Sequence, residues 1–335
     1  MKVMDMTPPS LKLLVGIAAQ PLESFESMMF RSAAANGLAG IALMERRLQV
    51  SVMEPVSFGS LEWLRECIGM DMRAAELAVP LAIDGGIALS GVPLEFQHVA
   101  LTSRRVCGQC VAAHGYGYSY WSLSPLAVCG THGTALIDCC PVCRAPFVSS
   151  RPGYTVCRCG TDCRNIQSQS APEAAVHVAR LLEARFRAEK MPASGTLGFP
   201  DARLEPLGLG ELLDLVIFLG ALHHDARTVS MRKLSGPVSL RTALPKLERA
   251  GRALADWPNG FYAVLRGARS YFPASESAAD VARSLDHVVQ LAVNCLQAER
   301  LGFVTQGIAA FLADPSEWNA ARARYRGEAW EGGKC

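Results

Sequence analysis

The cysteines of this chain are concentrated in one short stretch, and that stretch constrains the fold more than any other feature. Nine of the twelve cysteines lie between residues 107 and 163, where Gly, Pro and Ser replace long apolar periodicity. A segment of this composition cannot bury a large core and needs disulfide bonds or bound metal ions to stay folded. Three interpretations are open at this point: a disulfide framework, a redox site, or a module folded around metal.

The compartment that the sequence predicts favours metal. The apolar run LLVGIAA near the start is loosely similar to a secretory signal, but Asp5 and the Pro8-Pro9 pair disrupt the region before it. No window reaches the roughly 18 uninterrupted apolar residues of a membrane span. We therefore expect a cytoplasmic protein with no membrane partner. Cytosolic thiols stay reduced, so clustered cysteines there are more typical of metal ligands than of disulfides.

The spacing of the ligand pairs is typical of zinc. A Cys-x2-Cys pair is followed after eighteen residues by Cys-x2-His, and a second Cys-x2-Cys pair is followed after thirteen by Cys-x-Cys. Zinc prefers four tetrahedral nitrogen or sulfur ligands, and a two-residue gap lets both members of a pair reach one ion. The sequence thus predicts two structural Zn²⁺ ions per chain, because each set is complete and leaves no position for a reacting water. The first set is Cys107, Cys110, Cys129 and His132, and the second is Cys140, Cys143, Cys157 and Cys159.

Two further cysteines compete for these positions. Cys139 adjoins Cys140, which we prefer because the two residues after it then form the turn toward the next ligand. Cys163 is an alternative to Cys157 or Cys159. The simpler interpretation of both residues is that they are spare or supporting thiols.

Helical periodicity precedes and follows the cysteine-rich stretch. The segment ESFESMMFRSAAANG predicts a helix that ends at Asn36-Gly37, and SLEWLRECIGMDMRAAELAV predicts a helix or a helical pair. After Ser168, APEAAVHVARLLEARF predicts a helix with Pro172 in its first turn. The predicted fold is mainly α with a small zinc-stabilised, β-ribbon-like insert. Its domains are a helical N-terminal region (1–100), a tandem zinc-finger module (101–167) and a helical C-terminal region (168–335).

The charge pattern suggests a contact surface within the module. The net charge of the chain is only +2, so any attraction to nucleic acid must be local. Residues 101–167 contain six arginines but only two acidic residues, Asp138 and Asp162. The candidates for nucleic-acid or partner contact are Arg104, Arg105, Arg144, Arg151, Arg158 and Arg164. The alternative is a solvated surface, and we expect Trp121 to fill the small core of the module.

No catalytic motif accompanies these features. The sequence has no phosphate-binding P-loop, no GxSxG and no HExxH. We therefore expect a protein that is not an enzyme.

Three segments resemble the TniQ family, the transposon target-selection proteins that include TnsD. The central RVCGQC…YWSLSPLAVCGTHG…CCPVC…CRCGTDC resembles the tandem zinc module of the family, and DWPNGFYAVL resembles its Trp-Pro-x-Gly-Phe motif. The sequence departs from the family at Gly108, where Pro is usual, and at Cys163, where an aliphatic residue is common. The N-terminal segment is similar to the opening family signature through Glu23, Ser24, Ser27, Arg31, Ala33, Asn36 and Gly37.

The resemblance implies an adaptor in DNA transposition. TniQ proteins connect recognition of target DNA to an AAA+ ATPase regulator, which recruits the transposase. Some members dock on a guide-RNA effector complex, in some cases as a homodimer, and the helical parts of the family include helix-turn-helix elements. The alternative function is direct, sequence-specific DNA binding by a zinc protein of the TnsD type.

Overall fold

The computed structural model describes residues 12–166, 168–187, 201–222, 239–268 and 278–319. These residues divide into two compact units. Of the described residues, the first unit comprises 12–123 and 136–168, and the second comprises 124–135 and those from 169 to 319. The predicted domains divide the chain at residues 100 and 167, whereas most of the 101–167 segment shares a unit with the N-terminal region.

The first unit combines short helices with a small sheet. Its first helix, α1 (Phe25–Ala35), carries an apolar face, and the Ser24 side chain caps the start of that helix by accepting a hydrogen bond from the backbone N–H of Ser27. The helix stops at Asn36, and Gly37 follows with φ of +69°, as predicted. The elements are α1 (Phe25–Ala35), α2 (Ala42–Leu48), α3 (Phe58–Ile68), α4 (Met72–Ala78), β1 (Leu81–Ile83), β2 (Gly86–Leu89), β3 (Val92–Glu95) and α5 (Gly108–His114).

The sheet corrects the expectation that residues 1–100 are mostly helical. Strands β1, β2 and β3 pair antiparallel in sequence order, with two-residue turns at Asp84-Gly85 and Ser90-Gly91. Asp-Gly and Ser-Gly are typical of hairpin turns, and both glycines have positive φ. The segment SLEWLRECIGMDMRAAELAV, which precedes the sheet in the sequence, forms the predicted helical pair as α3 and α4.

The described part of the second unit is mainly helical and contains one short ribbon. Strands β4 (Val128–Cys129) and β5 (Thr134–Ala135) form a short antiparallel ribbon that pairs Val128 with Ala135 and Cys129 with Thr134. Helix α9 (Leu240–Ala255) packs against α6 (Glu173–Phe186), α8 (Leu209–Ala221) and α10 (Asn259–Ala268). The elements are β4 (Val128–Cys129), β5 (Thr134–Ala135), α6 (Glu173–Phe186), α7 (Asp201–Leu204), α8 (Leu209–Ala221), α9 (Leu240–Ala255), α10 (Asn259–Ala268), α11 (Ala278–Ser284), α12 (Asp286–Cys295), α13 (Gly302–Ala313) and α14 (Pro315–Asn319).

The coarse fold prediction is confirmed: the described chain is mainly helical with few strands. Helix α6 begins one residue later than predicted, because Pro172 serves as its N-cap. The helix-turn-helix arrangement stays a prediction. Within the described ranges, no helix is long and apolar enough to cross a bilayer.

Candidate metal centres

The first predicted ligand set forms a cluster. Cys107 caps the start of α5 and Cys110 lies in its first turn, while Cys129 ends β4 and His132 follows in the turn before β5. The ligand atoms of these four residues all lie within 4.8 Å of one another. Cys129 Sγ and His132 Nδ1 are 3.5 Å apart. Zinc bonded to sulfur at about 2.3 Å and to nitrogen at about 2.05 Å would place them about 3.6 Å apart in a tetrahedron.

Helix α6 holds the turn that carries two of these ligands. The Glu183 carboxylate accepts a hydrogen bond from the Gly130 backbone N–H at 2.8 Å, and Arg180 Nε donates to the Gly130 carbonyl at 2.9 Å. A Cβ at Gly130 would lie 2.9 Å from Glu183 Oε2 and 3.0 Å from Arg180 Cγ. The turn from Cys129 to His132 is therefore fixed by side chains that lie some fifty positions later in the chain.

The second predicted ligand set also forms a cluster, with its four sulfur atoms within 4.8 Å of one another. Cys140 Sγ lies 3.7 Å from Cys159 Sγ, and Cys143 Sγ lies 3.5 Å from Cys157 Sγ. A disulfide would need about 2.05 Å. Tetrahedral zinc with bonds of about 2.3 Å would separate the sulfur atoms by about 3.8 Å. The separations thus match ligands of one ion and exclude disulfides within the cluster.

Local backbone turns create this arrangement. The Cys140 carbonyl accepts from the Arg144 N–H at 2.8 Å, and the Cys157 carbonyl accepts from the Gly160 N–H at 2.9 Å. The Thr161 hydroxyl, 3.1 Å from Cys159 Sγ, lowers the pKa of that thiol to about 6. The thiolate is the form that binds metal, so this contact favours binding.

The chemistry of the donor sets fits a tetrahedral metal in both clusters. Each offers four sulfur or imidazole ligands, a combination that suits soft or borderline ions and leaves no position for a substrate. The described residues can therefore hold two metal ions.

Neither of the two competing cysteines, Cys139 and Cys163, belongs to a ligand cluster. Cys140 belongs to the second cluster, whereas Cys139 lies outside it and forms a β-bridge with Pro146. Cys163 also lies outside it and is buried, and burial raises the pKa of its thiol to about 12.

A Cβ added at Gly108 would meet the Cys163 carbonyl oxygen at 2.3 Å. The two positions that depart from the family pattern therefore contact each other.

Three of the six predicted contact arginines are buried. Arg104 and Arg151 both pair with the Glu26 carboxylate, at 3.2 Å and 3.0 Å. Arg151 also packs its guanidinium against Phe30 and two other aromatic rings. Arg105 donates to the Leu123 carbonyl at 2.7 Å, and burial lowers its pKa to about 10. These three side chains do not face a phosphate backbone, because they are buried and bind groups inside the first unit.

The other three predicted contact arginines are exposed near the second cluster. Arg144 follows Cys143 directly, and Arg158 lies between two ligands and donates to the Ser150 hydroxyl. Arg164 pairs with Asp162, and this hydrogen bond is the main reason that the pKa of Asp162 is lowered to about 2. This trio is the part of the candidate interface that remains on the surface.

Trp121 is buried in the first unit, as the sequence predicted. Its ring makes edge contacts with Tyr118 and Tyr120, whose rings stack on each other at 4.9 Å. These aromatics add to the buried apolar residues of the cysteine-rich segment, which also include Val106 and Phe147.

The N-terminal signature and the Trp-Pro-x-Gly-Phe motif make hydrogen bonds and ring contacts within their units. The buried Glu23 carboxylate accepts from the Ser27 hydroxyl at 2.9 Å, from the Gln20 backbone N–H at 3.0 Å and from Arg31. Ser27 in turn accepts from the backbone N–H of Gly117, ninety residues away. In the second unit, Trp257 and Phe261 stack with ring centroids 4.6 Å apart.

Sequence reasoning missed the acidic partners. Nothing local marks Glu26 as the counter-ion of two buried arginines, since Arg151 lies 125 residues away. The same holds for Glu183, whose partner Gly130 is separated from it by 53 residues.

No protein-family model and no curated protein matches this chain at a significant level. The resemblance to the TniQ family therefore depends on the motifs quoted above.

Proposed function

We propose that this chain is a target-selection adaptor of the TniQ type, which links recognition of target DNA to an AAA+ ATPase regulator and a transposase. The observation that carries the proposal is the pair of four-ligand clusters, because they are formed by the residues of the most specific family-like segment. In this proposal each cluster binds one zinc ion.

The zinc ions act as staples in this proposal. A closed set of four ligands gives zinc no open position from which to activate water or polarise a carbonyl. Metal binding to such a set supplies folding free energy. The ions would therefore fix the loops that present a contact surface and take no part in a reaction.

The remaining motifs support the same proposal through their structural roles. The signature in α1 ties the N-terminal helix to the segment around Gly117 through Ser27 and Glu23. Such a tie would give a partner protein a fixed surface made of the N-terminal region and the cysteine-rich segment together.

Direct DNA recognition is the second candidate function. It is favoured by the exposed Arg144, Arg158 and Arg164 beside the second cluster. Arginine on a rigid support can contact phosphates or base edges.

One experiment separates the two functions. The zinc-loaded full chain would be used to select fragments from sheared genomic DNA at near-physiological salt, and in parallel tested for binding to a purified AAA+ ATPase regulator of transposition. An adaptor captures the ATPase and enriches no locus. A direct reader enriches one locus by orders of magnitude over random DNA. Failure of both assays would contradict the proposal.

A matched charge control sharpens the DNA assay. Replacing the exposed trio Arg144, Arg158 and Arg164 by Gln removes three charges beside the second cluster. If they contact phosphates, the slope of log affinity against log salt falls by about two to three. The control replaces three exposed arginines on α2 and α4 by Gln, removing the same charge elsewhere in the same unit: Arg46, Arg47 and Arg73.

A further inference from the structure

A small cavity lies among the buried arginines of the first unit. It encloses about 30 Å³, and its walls include Glu26, Arg104, Arg105 and Trp121. A water molecule needs about 10–15 Å³ of such space, so the cavity has room for about two water-sized groups.

Two hydrogen-bond donors in the wall have no acceptor. Arg104 Nη1 and Trp121 Nε1 are both buried and make no hydrogen bond. Arg104 uses its other terminal nitrogen, which donates to the Ser149 hydroxyl at 2.6 Å. Its Nη1 lies 3.2 Å from Glu26 Oε1, within ion-pair distance but without the angle of a hydrogen bond. A buried donor without an acceptor destabilises the fold, which favours an occupant that accepts hydrogen bonds.

The charges around the cavity favour an anion over water. Arg104 and Arg151 share the single carboxylate of Glu26. Arg105 is buried beside them, and Asp138 is the acidic group that acts on it. Among the residues that the structure describes around this cluster, three guanidinium groups thus face two carboxylates. One positive charge in excess, removed from water, is costly without a further negative partner.

Helix α1 adds to the same field. Ser24 and Phe25, at the start of the helix, line the cavity. The first N–H groups of a helix have no acceptor within the helix, and the helix dipole places partial positive charge at this end. Two of these groups have acceptors outside the helical pattern: the Ser24 N–H donates to the Gly117 carbonyl, and the Ser27 N–H donates to the Ser24 side chain.

We infer that this cavity binds one small oxyanion, held by Arg104 Nη1 and Trp121 Nε1 and neutralising the excess charge of the arginine cluster. The room for about two water-sized groups suits the two oxygens that a carboxylate or another small oxyanion would direct at the two donors. It does not suit a phosphate flanked by two sugars, so the site is distinct from the proposed DNA contacts at the exposed arginines.

The test measures the thermal stability and the heat of binding of the zinc-loaded full chain as sodium sulfate or sodium acetate is added, with sodium chloride holding the ionic strength constant. We expect saturable stabilisation by at least one of the two anions. Saturation with sulfate indicates a tetrahedral oxyanion, and saturation with acetate alone indicates a carboxylate. Stabilisation no greater than that by chloride, or stabilisation that never saturates, overturns the inference.

Variants locate the site. Arg104→Gln should weaken binding of the active anion by about tenfold or more, since it removes a charged hydrogen bond. Trp121→Phe keeps an aromatic ring but removes the N–H donor, and should weaken binding by about fivefold. Arg73→Gln removes one exposed charge on α4, away from the cavity and from the proposed DNA contacts, and should leave the affinity unchanged. If Arg104→Gln fails to fold, Trp121→Phe decides the matter, and unchanged affinity in that variant overturns the inference.

Discussion

Replacement of Gly260 by alanine is expected to destabilise the second unit because the added methyl group has no room. The Cβ would lie 2.4 Å from the Arg252 carbonyl oxygen and 3.1 Å from that of Ala253, both on the neighbouring helix α9. Ordinary contact begins near 3.4 Å, so α9 and α10 would have to separate by about 1 Å. Such overpacking costs about 1–3 kcal/mol, and the stacked Trp257–Phe261 pair would have to shift with the helix.

A second glycine on the same helix provides the matched control. Gly267 is exposed, and a Cβ added there would meet nothing within 4 Å. Alanine at that position gains helix propensity, which stabilises by about 0.5–1 kcal/mol. The two variants should therefore differ in sign, with Gly260→Ala lowering the free energy of unfolding by about 2 kcal/mol and Gly267→Ala raising it slightly.

Urea unfolding of the zinc-loaded chain, followed by far-UV circular dichroism, measures both changes. The reasoning is refuted if Gly260→Ala unfolds within about 0.5 kcal/mol of the wild type, which is the range of a neutral surface substitution. It is also refuted if the two variants shift in the same direction by the same amount.

Three further outcomes are expected. Cys143→Ser should cost one of two bound zinc ions and unfold the loops around it, whereas Cys163→Ser should keep both ions, as counted by elemental analysis. Asp162→Asn should destabilise its unit by about 1 kcal/mol in urea, less than its full pKa shift implies, because Arg164 is half exposed. Because the pKa of Asp162 is lowered, its ionised form stabilises the folded chain above about pH 4, and this contribution is lost as the pH falls toward 2. The Asp162→Asn variant should not show this loss of stability with falling pH. Glu183→Gln should speed zinc loss to a chelator from the first cluster only, seen as one fast phase of two.

The sequence was most informative where local spacing decides the structure. The metal ligands come in short turns, so the Cys-x2-Cys, Cys-x2-His and Cys-x-Cys intervals identify both clusters without knowledge of the fold. Helix α1 could likewise be placed from its apolar face and from the Asn36-Gly37 stop.

The sequence was least informative where distant residues decide the structure. Arg104 and Arg151 appear as surface charges until Glu26 is placed beside them by the fold. The sheet β1–β3 was missed because its strands of three or four residues are too short for a clear period, although the turn at Asp84-Gly85 was visible.

The number of metal ions per chain tests the central claim most directly. Native mass spectrometry of the full chain, purified with zinc and without chelator, measures this number on the intact molecule. Two zinc ions per chain are expected, because each cluster offers a complete set of four ligands. One ion or none would contradict the assignment of both clusters as structural zinc sites and would remove the main support for the proposed adaptor.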